Sequence, residues 1–157
     1  MYRKVIKLIL ILLVMLTIFL FSSDNGIKST KKSDIVIVKT TQFFLGKKLS
    51  GKEYQRYIES FVVPVRKSAH FFIYFVLGIL MISFVGEFRN INYIALLISI
   101  SICFLYACSD EVHQLFVSGR SGEACDVFID TFGSFFGVII YFICYTKYRK
   151  VKEKKYE

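Results

Sequence analysis

Acidic residues are scarce in this 157-residue chain, with 12 Asp and Glu against 21 Lys and Arg and a formal charge of +9. It contains one proline, Pro64. No internal repeat and no low-complexity tract divides it, which excludes solenoids and counts against a repeat-built transporter. The four cysteines, Cys103, Cys108, Cys125 and Cys144, include no pair at zinc-finger spacing. The zincin pattern His-Glu-x-x-His is also missing. Three of these cysteines lie in apolar stretches, where the thiol behaves as a small hydrophobe. Cys108 and Cys125 flank one short loop and are the pair that a disulfide could join.

Apolar residues are abundant: 55% of the chain is hydrophobic and its mean hydropathy is +0.54. They are gathered into long runs with few charges, and about 20 such residues cross a hydrocarbon core. The basic residues stand at the ends of these runs and in one polar segment. That is the pattern of a protein oriented by a membrane rather than of one that binds nucleic acid, the other reading of a basic chain. The expected fold is an all-α integral membrane protein with about four transmembrane helices, forming one membrane domain over residues 1–157. The spans are expected at 5–21, 65–85, 91–109 and 125–145, with a basic tail at 146–157. The first run could also be a signal peptide. Phe21-Ser22-Ser23 puts a bulky side chain where a small one is wanted for cleavage, so a retained helix is expected.

Residues 22–64 form a polar loop. It opens on the turn signal Ser22-Ser23-Asp24-Asn25-Gly26, and its apolar period from Ser33 onward does not choose between helix and strand. Ser50-Gly51-Lys52-Glu53 then matches a capping box. Tyr54, Tyr57, Ile58, Phe61 and Val62 form one helical stripe, which predicts an amphipathic helix over 51–62 on the membrane surface or against the bundle. Pro64 is expected to end it.

Four spans put both termini on one side. The tail carries Lys147, Arg149, Lys150, Lys152, Lys154 and Lys155, and the start carries Arg3, Lys4 and Lys7. The turn after the third span sets Arg120 against Asp110, Glu111 and Glu123. The positive-inside rule therefore predicts cytoplasmic termini. The Lys-rich loop 22–64 runs against the rule, which weakens over so long a segment. On this topology that loop, the start of span two, the 109–124 turn and the start of span four share the outer face.

A charge at mid-membrane costs roughly 2.5–3.5 kcal/mol on insertion scales. Lys67, His70, Asp126 and Asp130 lie within or at the edges of apolar spans, so they must face one another, a watery cleft or a ligand. At about 100° per residue, Lys67, His70 and Tyr74 share a face of span two. Asp126, Asp130, Gly133 and Gly137 form a stripe on span four, and the glycine pair lets a neighbouring helix approach closely. If span three stays helical past Asp110, then Tyr106, Asp110, His113 and Gln114 share a face and Glu111 is turned away. One reading is structural: Lys67 and Arg120 neutralise Asp110, Asp126 or Asp130, and His70 hydrogen-bonds across the bundle. The other is a polar pocket. Arg66, Lys67 and Arg120 suit a phosphate or diphosphate headgroup. Asp110, Glu111, Asp126 and Asp130 could bind a divalent cation bridging to it. Glu111, His70 and His113 are the candidate acids or bases.

The same residues carry a resemblance. Arg66-Lys67-Ser68-Ala69-His70-Phe71, with Tyr74 and Gly78, resembles the first signature of the VanZ-like family. Asp110-Glu111-Val112-His113-Gln114-Leu115-Phe116-Val117-Ser118-Gly119-Arg120, followed by Asp126, Asp130, Gly133 and Gly137, resembles the second. Ser22-Ser23 after the first span also fits. The likeness covers nearly the whole chain, with one departure at Ser118-Gly119, where a proline commonly precedes the glycine. It implies a multi-pass protein of the bacterial cytoplasmic membrane, in a family named for resistance to the glycopeptide teicoplanin. It implies no settled reaction, metal or cofactor.

Three functions follow as expectations. The first is an envelope protein that engages a lipid-linked wall precursor or anionic lipid through Arg66, Lys67, His70, Tyr74, Asp110, Gln114, Arg120, Asp126 and Asp130. The second is an intramembrane hydrolase or transferase acting on a phosphate-bearing lipid, with Glu111 or His113 as base, Arg120 as clamp and an aspartate pair holding metal. The third is a transporter or channel subunit, for which a homo-oligomer would compensate for the short chain.

Overall fold

The structure is a computed structural model that describes residues 2–24, 34–40, 42–43, 51–120 and 122–154, without the side chains of 52–54. Its frame is four helices: α1 (Tyr2–Ser23), α2 (Gly51–Val85), α3 (Tyr93–Gln114) and α4 (Ala124–Lys154). Each is long and apolar enough to cross a membrane. No strand occurs among the described residues. In the 22–64 segment, residues 34–40 are helical. Ser50 of the expected capping box lies outside the described residues.

The expected break at Pro64 does not occur. The surface helix and the second span are one helix, α2, with Pro64 inside it. Proline removes one N–H and frees the carbonyl four residues back. Pro64 is exposed near the helix's polar end, where water can take up the freed group. α3 also runs past its expected end, through Asp110 to Gln114. It starts on Asn92, whose side chain accepts the Ala95 N–H at 3.1 Å.

The helices alternate in direction, so α2 runs parallel to α4 and α1 to α3. The α2–α4 seam is the closest. A Cβ on Gly133 would strike the Phe71 carbonyl, one on Gly137 the Phe75 carbonyl, and one on Gly78 the Ser134 carbonyl. Small residues on both helices thus bring the backbones into contact. On the other side Tyr106 donates to the Met15 carbonyl at 2.7 Å, tying α3 to α1. The core between them holds Ile11, Ile18, Tyr74, Leu77, Met81, Cys103 and Ala107. Only 17% of the α1 span is buried within the chain, and its outward Leu, Ile and Phe side chains are exposed, as lipid contact requires. The four cysteines are free thiols, Cys108 and Cys125 included.

Candidate functional site

At the end where α1 and α3 finish and α4 begins, the polar side chains converge. Gly119, at φ +74°, turns the chain between α3 and α4, a backbone conformation that glycine adopts without strain. Glu111, expected to point away, is buried instead: its carboxylate accepts the Glu123 N–H and anchors the approach to α4. A carboxylate there also complements the positive end of the helix. His113 does not join the cluster. It stacks on Phe19 with ring centroids 4.5 Å apart and its Nε2 lies 3.0 Å from Ser23 Oγ, so it faces α1. One turn back, Asp110 faces inward. Positions 110 and 113 lie only about 60° apart around the helix, and both meet α1: Asp110 at the buried Ser22, His113 at the exposed Phe19.

Arg120 is committed to the protein. It donates to the Phe21 carbonyl at 2.7 Å, the Asp24 carbonyl at 3.0 Å and Gln114 Oε1 at 3.0 Å. The first two are carbonyls at the end of α1, which a helix leaves without internal partners. Burial, and then the neighbouring Arg66, lowers the pKa of its guanidinium below the ordinary value; an arginine remains a cation there. Gln114 passes the connection inward, its amide 3.4 Å from both Asp110 Oδ2 and Glu111 Oε2. Ser22 donates to the same Asp110 oxygen at 2.8 Å. Sequence patterning did not single out Ser22 as a partner of Asp110. Its signals were a turn-forming serine pair directly after an apolar run and the fit of that pair to the VanZ-like resemblance.

From α2, Lys67 pairs with Asp126 and, at 3.1 Å, with Glu123. The expected neutralisation of Asp126 by Lys67 is therefore present. His70 lies one turn deeper, with Nδ1 3.6 Å from Asp130 Oδ2. Tyr74, a turn deeper again, is wholly buried, its ring 6.2 Å from Tyr106. A narrow cleft, partly open to solvent, runs down between these groups. Arg66, Lys67, Arg120 and Asp126 line it together with His70, Gln114, Ile129 and Asp130. The structure thus brings Arg66, Lys67, His70, Gln114, Arg120, Asp126 and Asp130 to one cleft, with Asp110 beside its floor and Tyr74 one turn deeper on α2. It leaves Glu111 and His113 outside.

The chemistry open to this arrangement is anion recognition at the mouth and cation or proton handling below. Guanidinium and ammonium groups suit phosphate oxygens. Carboxylates and imidazole at the floor suit a metal or a proton.

No curated protein and no solved structure shows a significant match to the chain. The family model described as VanZ/LLP1, however, matches residues 7–145, from the first turns of α1 to the end of the apolar part of α4, and so takes in every cleft residue named above. With its four membrane-spanning helices, the chain belongs to the VanZ/LLP1 family.

Proposed function

We propose that this protein sits in the bacterial cytoplasmic membrane with its termini inside, and binds the phosphate-bearing headgroup of a lipid-linked wall precursor or anionic lipid in the outer-facing cleft. Lowered access of teicoplanin-type glycopeptides to their target would follow. The observation that carries this reading is the cleft mouth, where Arg66 stands beside Lys67 and Arg120. Among the described residues Arg66 forms no ion pair, while Lys67 and Arg120 are held in place by their protein partners. A fixed cationic rim with one uncommitted guanidinium suits a diphosphate better than a neutral headgroup.

The test is antibiotic susceptibility in a host lacking the protein, with membrane levels measured for every variant. Wild type raises teicoplanin tolerance; Arg66→Ala and Lys67→Ala lower it in graded steps. Wild type without effect, or normally inserted variants indistinguishable from it, overturns the reading. Binding to vesicles with and without anionic lipid, in the presence of chelator, checks the headgroup directly.

The second reading, a hydrolase or transferase of phosphate-bearing lipid, is favoured by the His70–Asp130 contact at the cleft floor. A histidine beside a buried carboxylate is a plausible base, and His70 replaces Glu111 and His113 in that role. It predicts an all-or-none loss on His70→Ala, in place of graded losses.

A further inference from the structure

Below the cleft mouth, His70, Asp110 and Asp130 come from three different helices, and one ligand-type atom from each lies within 4.8 Å of the others. Asp130 is 1% exposed and Asp110 3%. Each keeps one carboxylate oxygen, Oδ1, fully buried and without a hydrogen-bond partner, and so does the Tyr74 hydroxyl. Tyr74 lies one turn beyond His70 on α2 and is wholly buried. Buried polar atoms are almost always partnered, so an unpartnered oxygen on each carboxylate of this cluster calls for a further partner. The nearby cations do not supply it: Lys67 is paired with Asp126 and Glu123, and Arg120 is held by the α1 carbonyls and Gln114.

The geometry points to a divalent transition-metal site formed by His70, Asp110 and Asp130, with the Tyr74 hydroxyl beside it. One imidazole and two carboxylates are the mixed nitrogen and oxygen donor set that Zn²⁺ and Mn²⁺ accept. A neutral imidazole with two carboxylates carries two negative charges, which a divalent ion cancels where burial makes charge most costly. The 3.6 Å between His70 Nδ1 and Asp130 Oδ2 is close to the ~3.3 Å edge of a tetrahedral zinc shell. Asp110 is already oriented: Ser22 and Gln114 hold its Oδ2 and leave Oδ1 for the ion, as outer partners do at metal sites. Three protein ligands leave a fourth position, and the cleft leads to it from the surface. The site stands apart from the headgroup reading, because it uses none of the cationic rim.

The full-length protein, stripped with chelator in detergent and free of added phospholipid, is dialysed against Zn²⁺ or Co²⁺. Bound metal is counted by elemental analysis and Co²⁺ is followed by visible absorption. About one ion per chain is expected, with a Co²⁺ spectrum of low coordination number. Asp110→Asn, Asp130→Asn and His70→Ala weaken binding by more than about 100-fold. Ser22→Ala, which removes only an outer partner, weakens it by about 10-fold. Glu87→Gln, at the opposite membrane face, keeps the ion. No bound ion in wild type, or unchanged affinity in the ligand variants, overturns the site and leaves a shared proton between the carboxylates. Should a ligand variant fail to insert, the wild-type stoichiometry and Co²⁺ spectrum decide alone. Metal binding that persists where headgroup binding fails defeats the headgroup reading only.

Discussion

Where α1 begins, Lys7 donates to Glu87 and, at 2.9 Å, to the Ser83 carbonyl; Arg3 stands 3.9 Å from the same carboxylate and Lys4 lies 4.1 Å above the Phe88 ring. At the opposite end the charges are neither few nor peripheral. Asp110, Glu111 and Asp130 are buried, two of them with an unpartnered oxygen. The first group does what a helix end at a membrane surface needs: cations and one acid anchor α1 to the α2–α3 turn with water at hand. The second is too costly to hold by packing alone, since buried charges recover their desolvation only when fully satisfied. The difference is what the proposed ion at the buried cluster would resolve.

The largest effect is expected from removing the scaffold that makes the comparison visible. Gly137→Leu drives a side chain into the α2 backbone at Phe75, where no flexible group can yield. The cost exceeds the ~1–3 kcal/mol of ordinary overpacking. Loss of the monodisperse folded protein in detergent would show it, while a normal elution profile would mean that the seam is looser than described. Next is Arg120→Ala, which strips charged hydrogen bonds from the end of α1 and from Gln114. About 1.5–3 kcal/mol is expected, read as a lowered Tm, with Arg120→Lys recovering only part because an ammonium lacks the planar fork.

Asp130→Asn sharpens the comparison in the other direction. In chelator, removing one buried carboxylate charge is expected to leave stability unchanged or raise it by ~1 kcal/mol, while ion binding is lost. A large drop in Tm in chelator would mean that the cluster is structural. The smallest effect belongs to Glu87→Gln. The Lys7 contact holds the Glu87 carboxyl below the ordinary carboxylate pKa. A depressed folded-state pKa contributes stability that is fully present above the unfolded value and lost as pH falls through the folded one. Wild type and variant should therefore differ slightly at neutral pH and converge in acid, in thermal melts across that range.

The four spans were legible because bilayer thickness imposes a length and a composition on any helix that crosses it. The Gly133–Gly137 stripe was legible too, since small residues four apart lie on one helical face. That face met α2 as backbone against backbone. Lys67, His70, Asp126 and Asp130 were marked by the cost of charge inside apolar runs. Sequence could not tell which acid meets which base. Helical spacing left Asp110 and His113 on one face, and the register of α3 against α1 separated them, sending His113 to Phe19 and Asp110 to Ser22. Pro64 read as a stop because proline breaks isolated helices; its place at the polar end of α2 removed the penalty. Arg120 read as a phosphate clamp or a partner for a carboxylate, since nothing local shows that the last carbonyls of α1, nearly a hundred residues earlier, need donors. Composition and periodicity thus determined the membrane fold and the residues too polar to face lipid. The pairing of those residues across four helices, and hence the His70–Asp110–Asp130 cluster, was decided only by tertiary packing, because contacts between helices depend on rotation and depth that no single run of sequence encodes.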